Sequence, residues 1–519
     1  MGKFWIFLTA ATVWFIHSIG VKAEDCSALA KLKLESTTIT RAELVMNGEV
    51  NATGQLMKGL PLMCRVVGVI RPTSDSEIRF EVWLPESNWN GRFLGVGNGG
   101  FAGSIDHGEM AAYVKRGYVA AGSDAGHEAE GTDATWAYGH PEKVKDFGWR
   151  AVHVTRERAK QIVRAYYGKP EKKAYFDSCS DGGREALMEA QRFPEDYDGI
   201  LAGAPANQWS TLLASGLATT QKLMVDPHAW IPPRKLSAIQ KAVLAKCDAL
   251  DGVKDGVIGD PTKCHFNPEE LLCKGEETNE CLTQPQIASM RTIYSGPRNG
   301  MGEIIYPGAT MGDETSWRAW ITGDDPGASA GARFVRNDFR YVVTGDPTWN
   351  MLTANPDAML KLSRKKTAAD LDSANSDLSR FAARGGKLIL YHGWNDPAIS
   401  PWSTVAYYQK VRKTMGADKE DSFVRLYMVP GMEHCIGGPG ASVFGQLGTE
   451  TSAEPKHGIF DALESWVEKG TPNEEIIATK YDAQRKAEFT RPLCSYPRIA
   501  KYKGTGDEKD AVNYACAAQ

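Results

Sequence analysis

After its N-terminal stretch the sequence has no apolar run approaching the roughly 20 residues that a membrane-spanning helix needs, so no transmembrane segment is expected there. Runs of lysine and arginine are missing too. With a formal net charge of −4, the chain has no electrostatic attraction for nucleic acid or an anionic membrane. Internal repeats and low-complexity tracts are absent, which sets aside solenoids and disordered tails. No Cys-x-x-Cys pair occurs among the ten cysteines, which argues against zinc. What is present is ordinary for a globular protein: 42% hydrophobic and 24% charged residues over 519 positions. That is enough for one large domain with an insertion, or for two to three modest domains.

The N-terminus reads as a cleaved signal peptide over residues 1–23. Lys3 supplies the positive start, Phe4 to Ile16 is an uncharged, largely apolar stretch, and Val21-Lys22-Ala23 puts small residues where a signal peptidase needs them. The apolar stretch is too short to be a comfortable membrane anchor. Cleavage near Ala23 would take the net charge to −6, because Lys3 and Lys22 are the only formal charges removed. The mature chain is therefore expected to be secreted or periplasmic, without membrane insertion. All ten cysteines follow the cut, in a compartment that favours disulfides. Local spacing suggests Cys26–Cys64, Cys247–Cys264, Cys273–Cys281 and Cys494–Cys516. Cys179 and Cys435 remain as partners far apart in sequence, the alternative being two buried free thiols.

From about residue 77, strand-like and helix-like segments alternate, the pattern of an α/β sheet. Strands are expected at Ile78–Leu84, Phe93–Val96, Tyr118–Gly122, Lys173–Asp177, Gly199–Ala202, Lys387–His392 and Val424–Val429. Helices are expected at Trp149–Tyr167 and Gly183–Phe193. Residues 207–374 differ: they carry four of the ten cysteines, an Asp/Gly-rich loop and several tryptophans, with little strand pattern. Strand-and-loop chemistry resumes at Leu388. The expected organisation is an α/β-hydrolase fold in two parts, 24–206 and 375–519, with 207–374 as a large inserted lid.

Ala174 to Leu187 places an apolar strand, a tight turn at Ser180 and then a helix, the setting of a nucleophile elbow. Gly182 supplies the second glycine of G-x-S-x-G, while Ser178 stands in for the first. The helix that begins near Asp181 aims its free N–H groups at the place where an oxyanion forms. Asp181 is the expected first oxyanion donor. A second is expected at Gly100, in the loop Gly97-Asn98-Gly99-Gly100, although a glycine cluster alone is also what an ordinary turn looks like. A nucleophilic serine needs a base and the base needs a carboxylate. The strand from Leu388 ends in a loop bearing Asp396, and the strand from Val424 ends in a loop bearing His434. The order Ser, Asp, His is the one this fold uses. Among the competitors, His392 is structural or lines the pocket, Asp124 and His127 precede the serine, and Glu433 points elsewhere if His434 faces Ser180.

These residues, Cys179-Ser180-x-Gly182-Gly183, the Asp396 loop and His434-Cys435, resemble the tannase/feruloyl esterase family, which includes bacterial hydrolases of mono(2-hydroxyethyl) terephthalate. The resemblance extends over about residues 26–516. It implies Ser180 as nucleophile, Asp396 as acid, His434 as base and Cys179–Cys435 as a bridge; Ser178, where the family usually has glycine, is the visible departure. It also bears on the loop 247–257. Three carboxylates on a short glycine-containing loop suit a hard cation, though a solvated acidic turn has the same composition. The loop is not an EF-hand, since Gly259 takes the place of the terminal glutamate. The family pattern implies structural Ca²⁺ held by the side chains of Asp248, Asp251 and Asp255 and the carbonyls of Val253 and Val257.

The expected activity is hydrolysis of aromatic, hydroxycinnamate-type carboxylic esters through an acyl-enzyme, as in a feruloyl esterase. The partner is a small aromatic ester, free or attached to plant polysaccharide. Tannase or terephthalate monoester hydrolase are the alternatives within the class. A peptidase or a catalytically silent, calcium-stabilised binding module are the alternatives outside it.

Overall fold

The structure is a computed structural model that describes residue 2 and residues 25–52, 54–451 and 456–519. Apart from Gly2, the signal peptide expected over 1–23 lies outside the described residues. Nine strands build the central sheet: β1 (Thr37–Val45), β2 (Met63–Ile70), β3 (Ile78–Pro85), β4 (Arg92–Val96), β5 (Val119–Ser123), β6 (Lys173–Cys179), β7 (Gly199–Gly203), β8 (Lys387–Gly393) and β9 (Val424–Val429). Their order across the sheet is β1-β2-β3-β5-β4-β6-β7-β8-β9. The pairings β1–β2, β2–β3 and β3–β5 are antiparallel, and every pairing from β5 onward is parallel. This is the sheet expected of an α/β-hydrolase.

The parallel strands read as largely apolar runs because both of their faces are covered. Neighbouring residues go to opposite faces. Phe93, Phe176, Ala202 and Leu388 enter one core cluster, while Leu94, Tyr175, Leu201 and Ile389 enter the other. Helices Ala151–Tyr167 and Asp181–Arg192 cover the first face, and His107–Lys115 and Ile459–Lys469 cover the second.

Between β7 and β8 the chain is helical. Part of this segment, from Ile231 to Trp317, closes a third apolar cluster of its own, while residues of Trp209–Met224, Ala330–Asn337 and Pro356–Leu371 join the main core. Beyond the sheet the C-terminal region forms two small antiparallel pairs, Glu475–Tyr481 with Ala487–Cys494 and Ile499–Tyr502 with Tyr514–Ala517. The strands expected from the sequence include none there, and none at β1 or β2. All five cysteine pairs proposed from the sequence are bonded, including Cys179–Cys435 across 256 residues.

Candidate active site

The sheet order decides where a site can form. From β4 the chain moves outward to β5 and then returns to β6 on the other side of β4. The carboxyl ends of β4 and β6 therefore flank a crevice, the usual ligand position in an open α/β sheet. Ser180 follows β6 and the Gly97–Gly100 loop follows β4.

Ser180 sits at φ 69°, ψ −122°, between strand and helix. A left-handed serine is strained, of the order of 1–3 kcal/mol, and packing on both sides holds it there. A Cβ on Gly182 would lie 1.9 Å from Ser178 Oγ and 2.9 Å from the Asn98 carbonyl, and one on Gly183 would lie 2.2 Å from the Gly203 carbonyl. Strand and helix approach too closely at these two positions for any side chain. Ser178, the departure from G-x-S-x-G, is accommodated because Gly182 leaves room for its hydroxyl.

Ser180 Oγ lies 2.8 Å from His434 Nε2, and His434 Nδ1 lies 2.7 Å from Asp396 Oδ2. The carboxylate only accepts, so Nδ1 carries the proton and Nε2 is free to accept the serine O–H. Asp396 is buried and saturated. Its Oδ1 accepts the amides of Ala398 and Ile399 at 2.8 and 2.9 Å. Its Oδ2 takes His434 and also His392 Nε2 at 3.0 Å. Burial works against charge on Asp396, but His434 and then His392 outweigh it and hold the carboxyl well below its ordinary range.

His392 joins the site through a contact with Asp396 that the sequence alone does not mark. Its Nε2 faces two acceptors, Asp396 Oδ2 and the Ile399 carbonyl, so it donates there. Its Nδ1 then accepts from Thr404 Oγ1 at 2.7 Å. The available signal is position: His392 lies near the end of a buried strand, four residues before Asp396.

The competitors lie elsewhere. His127 bonds to the Phe101 carbonyl and stacks on Trp136, and burial lowers it to about 4. Asp124 accepts the amides of Arg79 and Gly126. Glu433 turns to Asp313, and burial together with that neighbour raises it to about 7.

A cleft open to solvent lies over Ser180 and is lined by Gly100, Asp181, Trp209, Trp320, Phe334 and His434 among others. Trp320 meets the His434 ring edge-on at 5.1 Å and lies parallel to Phe334, within 5° and 6.2 Å between centroids. Of the tryptophans, phenylalanines and arginines in 207–374, Trp209, Trp320 and Phe334 line this cleft. Trp317 and Phe339 are buried in cores, and Trp230 is bonded to the Thr322 carbonyl. Arg336 and Arg340 turn to the carbonyls of Gly327 and Trp349.

The acidic loop is folded around its own backbone. Asp248 accepts the amides of Asp255 and Gly256, Asp251 those of Val253 and Gly259, and Asp255 that of Val257. Burial, with the charges of Asp255 and Asp248 adding, pushes Asp251 up to about 6, and burial with the charge of Asp255 raises Asp248. This is a set of hard oxygen donors that repel one another, which suits a divalent cation. Asp255 Oδ2 is paired with Arg491 at 2.6 Å, so ligation through that oxygen would have to displace the guanidinium. Among the described residues, the one close group of three metal-capable side chains is elsewhere, at His153, Glu189 and Asp196.

The family model for tannase and feruloyl esterase matches residues 64–517. An uncharacterized esterase of Xanthomonas campestris pv. campestris is 40% identical over 98% of this chain and 94% of its own. A probable feruloyl esterase B-1 of Aspergillus flavus is 35% identical over 88% of this chain and 86% of its own. The crystal structure of feruloyl esterase B from Aspergillus oryzae superposes with a TM-score of 0.88 at 30% identity, covering 95% of this chain and 99% of that one. The chain therefore belongs to the tannase and feruloyl esterase family and is a carboxylic ester hydrolase.

Proposed function

We propose that this esterase cleaves hydroxycinnamate-type aromatic esters through an acyl-enzyme on Ser180. The observation that carries the reading is His434 bonded at once to Ser180 and to a saturated, ionised Asp396, beneath an aromatic cleft. Ser180 Oγ attacks the ester carbonyl and passes its proton to His434 Nε2, while Asp396 stabilises the imidazolium. The carbonyl oxygen becomes an oxyanion received by the amides of Asp181 and Gly100. Collapse breaks the bond to the alcohol, which leaves with the proton from His434. Water, deprotonated by His434, then releases the acid by the same steps in reverse order.

Trp209, Trp320 and Phe334 give a planar acyl group apolar faces to lie against, and relatives are named feruloyl esterase. The inserted segment 207–374 acts as the lid that carries these rings. Export fits the five disulfides and the signal-like start of the sequence, and an exported esterase can meet its ester attached to plant polysaccharide. The loop at 248–257 takes Ca²⁺ as a structural ion, through Asp248, Asp251, Asp255 and the carbonyls of Val253 and Val257.

A fluorophosphonate probe should label Ser180, and Ser180→Ala should lose both labelling and turnover. In a panel of methyl ferulate, methyl gallate, chlorogenate, a terephthalate monoester and a butyrate ester, ferulate and chlorogenate should lead butyrate in kcat/KM by roughly tenfold or more, a difference of about 1.4 kcal/mol. Equal efficiency on ferulate, gallate and butyrate would leave a generic esterase.

A further inference from the structure

Two amides that must act on one oxygen come from parts of the chain with no covalent reason to lie at a fixed separation. Asp181 opens the helix after β6, and Gly100 lies in the loop after β4. Asn98 is the joint between them. Its carbonyl accepts the Gly182 amide at 2.7 Å, and its own amide donates to Glu185 Oε2 at 2.9 Å. Its side-chain Nδ2 donates to the carbonyls of Ser104 and Ser123 at 2.8 and 2.9 Å. The loop peptide is thus gripped on both sides by one turn of the helix that carries Ser180 and Asp181 at its start.

Glu185 is only 1% exposed, and its second oxygen, Oε1, has no hydrogen-bond partner among the described residues. The grip therefore rests on one oxygen. The fit is tight, since a Cβ on Gly97 would come within 2.6 Å of Glu185 Oε2 and 2.8 Å of Ser178 Oγ. A carboxyl buried on a helix face, one turn from the Asp181–Arg184 pair, contributes less to packing than an apolar side chain of the same length would. Its contact with the loop is what it offers in return.

We propose that Glu185 is a positioning residue of the oxyanion hole, holding the Gly97–Gly100 loop in register with the Asp181 amide through Asn98. This rests on the reading of Ser180 as nucleophile. Without the acceptor, the buried Asn98 amide has no partner and the loop relaxes away from the helix. The loss falls on the tetrahedral state and not on ground-state binding, so kcat drops while KM stays.

The test uses the full chain, 4-nitrophenyl acetate as substrate and phenylboronic acid as a tetrahedral mimic. Glu185→Met removes the acceptor at similar length, and Glu185→Gln keeps a carbonyl oxygen in its place. The Met variant should lose about 10–100-fold in kcat with KM within about threefold, and its boronate affinity should fall in proportion. The Gln variant should stay within about threefold of the parent on all three measures. A folded Met variant with parental kcat overturns the proposal, as does one whose kcat falls while boronate affinity holds. Should the Met variant fail to fold, Glu185→Asp decides, because it withdraws the oxygen by one methylene. Parallel losses in kcat and boronate affinity support the brace, and parental values overturn it. Ser180→Ala separates the two claims: if it remains active the nucleophile assignment fails, and if it is dead beside a normal Met variant only the role of Glu185 fails.

Discussion

Ser180 holds a left-handed backbone, and the residues around it decide whether that strain survives. Gly182 is pressed between Ser178 Oγ and the Asn98 carbonyl, 1.9 and 2.9 Å from where a Cβ would stand. Gly182→Ala should therefore lower kcat by at least about tenfold or leave the chain insoluble, since overpacking at such a site costs about 1–3 kcal/mol or more. Ser178→Gly should be close to parental. The double variant should recover part of the loss, because one of the two clashes is gone while the carbonyl remains. Activities that simply multiply across the pair would mean that Ser178 and Gly182 do not share the space. The serine at the first motif position is thus a substitution that its glycine neighbour absorbs. The motif made Ser180, Asp396 and His434 legible, because strand, turn and helix are local and the order of the three follows the fold. His392 and Glu185 were not legible. Their partners, Asp396 Oδ2 and the Asn98 amide, are set by tertiary packing, and a histidine on a strand or a glutamate on a helix has no local mark.

Buried apolar strands are mostly legible in the sequence, although β2, almost wholly buried, is not among those expected. β6, β7 and β8 are mostly apolar because helices cover both of their faces. β1 is the sheet edge, alternates half-exposed with exposed residues and carries Thr, Arg and Glu, so its pattern is that of a loop. The pair Glu475–Tyr481 and Ala487–Cys494 hides for a related reason, with Ala487 and Glu488 exposed at the start of one strand. What neither strand pattern nor motif implies is how loops from distant strands meet. In the sheet β7 and β8 lie between β6 and β9, so the ends of β6 and β9 are about 14 Å apart at ordinary strand spacing. The loop after β9 must lean back across the sheet edge to bring His434 to Ser180, and Cys435, itself at φ 66°, is bonded to Cys179 at the neighbouring position. Replacing both cysteines with serine should reduce stability by about 2–5 kcal/mol. It should also lower kcat by more than KM changes, because base and nucleophile lose their shared restraint. Thermal melting and kinetics on the purified double variant check this; a destabilised variant with parental kcat would confine the bridge to stability.

Over the whole molecule, the inserted segment and the C-terminal strands meet at the acidic loop. Arg491 binds Asp255 across 236 residues, and Gln519 reaches Asp260 and Thr262 at 3.0 Å. The segment that supplies Trp320 and Phe334 to the cleft is thus anchored to the chain's end through a loop whose carboxylates repel one another. A divalent cation there would relieve the repulsion and, by binding only the folded state, raise stability by about 2.7 kcal/mol at a free concentration 100 times Kd. Removal of metal with excess chelator should therefore lower the melting temperature, and added Ca²⁺ should restore it. Below the melting range kcat on a small activated ester should change little, since none of the three carboxylates contacts Ser180, Asp396 or His434. Asp251→Asn should melt earlier than the parent and no longer respond to chelator. Mg²⁺ should restore less than Ca²⁺, because a loop offering carboxylates and carbonyls on flexible backbone suits the larger ion's irregular coordination better than an octahedral one. A melting curve indifferent to chelator, together with no stoichiometric metal in elemental analysis, would make the loop a plain acidic turn, with Arg491 as a counter-charge to Asp255.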